Sequence, residues 1–291
     1  MSEAGERAEP LRRAYEHCAE LVREAARDKW LSALFAPEDA RPHLHALAAF
    51  DIETARVTGL VREPLAGEMR LAWWREALNG ERAGEAAAHP VAAALLGTID
   101  RFALPRRAFD DLLHARSFDL YDDDMPTLAE LETYCRQIEG ALFQMAALIL
   151  GRGADLGADE ASGAAGVAVG LTRGLRAFPR ASGRGPTYAP RDLLQRNGVS
   201  SEDLRERRDS PGMSAVFSQL RGRALHHLAV AERCIATLPP IVAPAFVPLG
   251  AARLDLKRLE RAADAPFAPL AEPAAWRRQL ALWLWARGRR G

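Results

Sequence analysis

The chain has 291 residues, 39 basic and 39 acidic side chains, and 48% hydrophobic residues. The balanced charge argues against a tail-driven nucleic-acid binder, and the apolar content argues against a disordered chain. All but two of the 39 cations are arginines, the exceptions being Lys29 and Lys257, a bias that a GC-rich genome also produces. Cys18, Cys135 and Cys234 are odd in number and far apart, with no CxxC spacing, so neither a disulfide framework nor a zinc site is expected. A charged N-terminus without an apolar core segment predicts no leader, and no apolar run approaches the ~20 residues of a membrane span.

Helical periodicity runs throughout, with no convincing strand alternation. Leu11, Tyr15, Cys18, Val22 and Ala25 mark the stripe of a first helix. Pro37 reads as the start of a second that ends at Gly59, and Pro64 opens a third that ends at Asn79-Gly80. His89-Pro90 begins a fourth, and a fifth runs from Pro105 to about Leu120. The acidic loop Tyr121 to Pro126 leads to Thr127, whose spacing to Glu130 matches a capping box starting a helix to Leu150. Further helices are expected at Ala161 to Ala177, Arg191 to Gly198, within Glu202 to Leu238, at Ala245 to Ala262 and at Ala275 to Ala286. The fold class is therefore all-α, read as a single domain over residues 1 to 291 with a core of about 10 to 260 and a C-terminal helix of about 274 to 288.

Three segments carry a resemblance: LSALFAPEDARPHLHALAAFDIETARV at 31 to 57, LETYCRQIEG at 131 to 140, and AGVAVGLTRGLRAFPRASGRGPTYAPRDLL at 165 to 194. Together they resemble the squalene and phytoene synthase family of head-to-head prenyl diphosphate condensing enzymes. That resemblance implies an isoprenoid-synthase bundle around a central cavity, with two aspartate-rich motifs on facing helices holding magnesium against a leaving diphosphate. By the same alignment Ala55 and Arg56 stand at adjacent aspartates of the first motif and Gly59 at its closing one. Ala177 and Ala181 stand at aspartates of the second, with Gly170 at its glutamine and Arg173 at its asparagine. The segment REPLAGEMRLAWWREAL is similar in style to relatives of a mitochondrial respiratory complex I assembly factor.

The resemblance thus points to a catalytically degenerate member, a pseudoenzyme that binds an isoprenoid or other anionic lipid or serves as an assembly factor with a protein partner. No metal cofactor is expected on that reading. The alternative is an active prenyltransferase that condenses farnesyl or geranylgeranyl diphosphate, with magnesium. Arg173, Arg176, Arg180 and Arg184 recur on one helical face. With Arg56 opposite they would form a metal-free anion site, or else they are surface and loop-anchoring arginines. Tyr134 and Tyr188 are candidates to hydrogen-bond a ligand head or to anchor helices. Asp119 and Asp123 read as part of a solvated loop. Asp51 and Glu53, two apart, cannot share a helix face. Trp276, Leu280, Trp283 and Leu284, flanked by arginines, describe either an interfacial helix on anionic membrane or one packed on the bundle. The expected setting is cytoplasmic, with peripheral contact to the inner membrane through that helix, and no nucleic-acid partner.

Overall fold

The computed structural model describes residues 3–61, 63–121, 123–178, 188–261 and 265–288. Among them there are helices and turns and no β-strand. In chain order they are α1 (Glu3–Ala25), α2 (Arg27–Ala33), α3 (Arg41–Leu60), α4 (Pro64–Asn79), α5 (Ala83–Ala88), α6 (Pro90–Phe102) and α7 (Arg106–Ser117). A 3-10 turn at Phe118–Leu120 precedes α8 (Leu128–Cys135), a π-helical turn (Arg136–Gly140) and α9 (Ala141–Leu150). Then come α10 (Asp159–Ala177), α11 (Arg191–Arg196), α12 (Ser201–Arg205), α13 (Pro211–Ile235), a 3-10 segment (Pro240–Phe246), α14 (Leu249–Arg261) and α15 (Ala275–Arg287).

Local chemistry explains most boundaries. Thr127 accepts the Glu130 amide at 3.2 Å and so caps α8, and Ser210 does the same for Met213 at 3.1 Å ahead of α13. Proline occupies the first turn of α3, α4, α6 and α13, where its missing N–H costs nothing. Gly80, at φ 86°, closes α4 in the left-handed region. Two expectations need correcting. The second helix of the sequence reading starts at Arg41, with Pro42 rather than Pro37 in its first turn, because Pro37 sits in a turn whose carbonyl accepts the Ala40 amide. The helix from Thr127 to Leu150 is not continuous α-helix but is interrupted by the π turn.

Helix α10 lies at the centre, packed against α8, the π turn, α9, α13 and α14, while α1, α3 and α6 form a second group. Contacts of α3 with α9 and of α7 with the π turn join the two groups. Small residues let α10 approach: a Cβ on Gly166 would lie 2.2 Å from the Gly140 nitrogen, and one on Gly170 2.5 Å from the Cys135 Sγ. At Gly166 backbone meets backbone and at Gly170 backbone meets the Cys135 side chain, so the two glycines fix how deep α10 sits against the π turn and the end of α8. In the other group Phe50 is fully buried, with the Trp74 and Phe109 rings edge-on to it at 5.2 and 5.6 Å.

Candidate functional site

A cavity of about 310 Å³ opens between α3, α7 with its 3-10 turn, α8, α10 and α13. Its lining includes Ala55, Thr58, Arg116, Asp119, Tyr134, Cys135, Arg173, Gly174 and Tyr188. A smaller apolar slot of about 100 Å³, lined by Leu44, Leu47, Phe143, Val169 and Pro248, has Lys29 and Glu139 in its wall.

Between the two spaces runs a network of charges drawn from six elements: α2, α3, α7, its 3-10 turn, the π turn and α10. Buried Asp51 of α3 is bound by Lys29 of α2 on one oxygen and by Arg116 of α7 on the other. Arg116, 3% exposed, also lies 3.9 Å from Asp119. Asp119 accepts the hydroxyls of Tyr134 and, at 2.6 Å, Tyr188. On the far wall Arg173 of α10 donates to Glu139 of the π turn; the Glu139 side chain is 5% exposed and the Arg173 side chain 46%. A π turn adds one residue to the helical circuit, a device common at functional sites. Here it aims Glu139 at α10 while Tyr134 and Cys135, on the preceding turn, still face the cavity.

The electrostatics follow from this geometry. Burial alone would raise the Asp51 pKa, but the Lys29 and Arg116 cations outweigh it and hold the carboxyl well below its ordinary range. Burial first, and the Asp119 charge second, push both the Tyr134 and Tyr188 phenols up. Both tyrosines therefore stay protonated donors. Burial pushes the Cys135 thiol up to about 12, which keeps it a thiol and a poor nucleophile.

The Squalene/phytoene synthase family pattern matches residues 22–283. The chain belongs to this family. It is 30% identical over 245 residues to the human protein named NADH dehydrogenase (ubiquinone) complex I, assembly factor 6, an alignment that covers 84% of this chain and 73% of that one. It is 32% identical over 221 residues to the phytoene synthase of Thermus thermophilus, covering 71% and 73% respectively. The crystal structure of squalene synthase HpnC from Alicyclobacillus acidocaldarius superimposes with a TM-score of 0.77 at 25% identity, over 88% of this chain and 97% of that one. The fold is thus the all-α isoprenoid-synthase bundle expected from the three sequence segments.

Magnesium held against a diphosphate needs several carboxylate oxygens free to ligate it. In this member of the squalene/phytoene synthase family the buried carboxylates in and between the two spaces are engaged: Asp51 by two cations, Glu139 by Arg173, and Asp119 by two phenols beside Arg116. Among the described residues no group of three His, Cys, Asp or Glu side chains is placed to hold a metal ion. The segment 179–187, outside the described residues, contains no Asp or Glu. Among the described residues, then, the carboxylates do not form a magnesium cage, and no step through one is derived.

The structure brings three of the candidate residues, Arg173, Tyr134 and Tyr188, together in the lining of the cavity. Arg56 departs from its expected place: its side chain is 49% exposed and 4.0 Å from Glu53, while its neighbour Ala55 lines the cavity. One residue along a helix turns a side chain about 100°, which takes Arg56 off the cavity face. Arg176 also leaves the cavity, because Asp255 of α14 at 3.2 Å and Glu272 at 2.9 Å draw it toward the C-terminal elements. Arg180 and Arg184 lie outside the described residues. Asp119 corrects the solvated-loop reading: the 3-10 turn swings it inward, away from exposed Asp123. Lys29, Asp51 and Arg116 join the site without a motif that marks them as a group. The only sequence signal for them was an ionisable residue inside an apolar stripe, as at Asp51 between Phe50 and Ile52.

Proposed function

We propose that this protein is a non-catalytic member of the family, which holds an apolar-tailed, isoprenoid-type lipid in its cavity and serves the assembly of a protein complex. The observation that carries the reading is the pairing of Asp51, Asp119 and Glu139 with Lys29, Arg116, Arg173 and two tyrosines. A head-to-head condensation of prenyl diphosphates needs the leaving group neutralised as it departs, and paired carboxylates do not recruit the metal for it. Three cations face three carboxylates, so the network is balanced rather than positive. A free diphosphate therefore gains little there, and a head group that is neutral or carries one negative charge is the better match. Donors for it are present. Arg173 is half exposed to the cavity, and the Arg116 Nε is buried without a hydrogen-bond partner. The assembly role rests on the likeness to complex I assembly factor 6 of human, rat and mouse, at 29 to 30% identity.

A second reading is an active prenyltransferase, favoured by the likeness to the Thermus thermophilus phytoene synthase and by the retained cavity. One experiment separates them. The purified protein is incubated with farnesyl and geranylgeranyl diphosphate, magnesium and NADPH, and the extract is analysed by mass spectrometry. Squalene, phytoene or a cyclopropyl intermediate formed at turnover establishes the second reading. On the first, no product forms, and geranylgeraniol raises the melting temperature in EDTA at least as much as geranylgeranyl diphosphate does. A melting temperature unmoved by either compound removes the lipid-binding role.

A further inference from the structure

Helix α15 packs on the bundle by one face and leaves the apolar side chains of the other face exposed. One face is docked: Leu282, Trp285 and Ala286 are buried, and a Cβ on Gly250 of α14 would lie 2.7 Å from the Ala281 carbonyl oxygen. Arg278 is turned inward as well, bonded to Asp28 of α2 at 2.5 Å and to Asp255 of α14 at 3.1 Å. These contacts hold the helix on the bundle in one rotational setting. The opposite face then carries Trp276, Leu280, Trp283 and Leu284, whose residues are 59, 44, 44 and 55% exposed.

The chemistry around this face selects its occupant. Arg277 lies over the Trp276 ring at 5.3 Å and Arg287 over the Trp283 ring at 5.0 Å, so each indole is flanked by a cation. From residue 273 to residue 291 the sequence has five arginines and no carboxylate side chain. An indole, apolar in body with a polar N–H, is the side chain that favours the headgroup boundary of a bilayer, and guanidinium groups pair with lipid phosphate. A second apolar feature adjoins the docked side of α15 at Ala286. A groove of about 380 Å³, lined by Phe35, Pro37, Pro240, Ile241, Val247 and Ala286, begins at the end of the helix, with Leu34 and Ile241 exposed along the same elements. Pro244 is shared between this groove and the apolar slot that has Lys29 and Glu139 in its wall.

We infer that α15 is a lipid-surface docking helix. It seats the bundle on a membrane containing anionic lipid, with Trp276 and Trp283 at the headgroup boundary and Arg277 and Arg287 on lipid phosphates. No helix among the described residues is long and apolar enough to cross a membrane, so the contact is peripheral. This inference stands on α15 and is independent of what the cavity binds.

The test is co-flotation of the full chain with vesicles of phosphatidylcholine alone and of phosphatidylcholine with phosphatidylglycerol. Binding is expected to the anionic vesicles and to weaken several-fold as salt rises from low to physiological strength. The double variant Trp276→Ser/Trp283→Ser should lower vesicle affinity at least about tenfold while circular dichroism and melting temperature stay those of the parent, since both indoles are exposed. Arg277→Glu/Arg287→Glu should remove the preference for anionic lipid. Failure of the parent to float overturns the inference, and so does unchanged binding by the tryptophan variant. Light scattering that shows a dimer dispersed by the tryptophan variant, without vesicle binding, assigns the face to a second copy instead.

Discussion

The Tyr188 hydroxyl donates to Asp119 at 2.6 Å, and Tyr134 donates to the same oxygen, so two phenols from segments far apart in sequence converge on one carboxylate. Asp119 also faces Arg116, which ties the cavity wall to the buried Asp51 behind it. The ion pairs and tyrosines are therefore one structural unit, and removing a member is felt at the others.

Tyr188→Phe deletes one donor to that carboxylate and leaves the ring in place. A hydrogen bond to a charged group contributes about 1.5–3 kcal/mol, and urea denaturation should show a loss at the lower end because Asp119 keeps Tyr134. Unchanged stability would show that the tyrosine pair is not coupled through Asp119.

Asp51→Asn should be much more damaging. It removes the counter-charge of Arg116, which is 3% exposed, and of Lys29, and stranding a buried cation costs about 3–5 kcal/mol. Arg173→Met strands Glu139 in the same way, but the Arg173 side chain is 46% exposed and water can enter, so about 2 kcal/mol is expected. Adding Glu139→Gln should recover most of that second loss, which a double-mutant cycle in urea would reveal.

Two glycine substitutions should have opposite signs. Gly166→Ala places a methyl 2.2 Å from the Gly140 nitrogen and 2.5 Å from its Cα, so backbone must separate and a loss of about 3 kcal/mol or more is expected. Gly222→Ala, on exposed α13 surface with nothing within 4 Å, should gain about 0.5–1 kcal/mol from helix propensity. Thermal unfolding of the two variants side by side tests whether close approach, rather than composition, keeps glycine on α10.

His43 supplies a pH dependence. It is buried between Tyr15 and Phe102 with its Nδ1 2.9 Å from the Thr98 hydroxyl, and burial first, then the Arg101 charge, push its pKa down to about 4 from the ordinary 6.5. The unfolded chain then takes up a proton near pH 6.5 that the folded chain refuses. The stability tied to this histidine is complete above pH 6.5 and is lost as pH falls toward 4, by up to about 3 kcal/mol. His43→Gln should flatten the stability profile in that window; an unaltered slope would assign the acid sensitivity to other groups.

Helix content, most helix starts and the family were readable locally, because they rest on a 3.6-residue period, on caps such as Thr127, and on short motifs. The sequence also contained the two tyrosines and Arg173 as site candidates, since contiguous segments carried their resemblance. What it did not contain was which way each charge points. Arg56 and Ala55 differ by one position, and only the setting of α3 in the bundle decides that alanine meets the cavity and arginine meets water. Asp51, Asp119 and Glu139 were visible as acids, but their partners Lys29, Arg116 and Arg173 come from other helices, and the π turn that aims Glu139 has no sequence period of its own. The same holds at α15, where the periodic apolar pattern allowed two faces. Packing against α2 and α14, fixed by Arg278 on Asp28 and Asp255, determined which face was buried and which four apolar side chains were left outside.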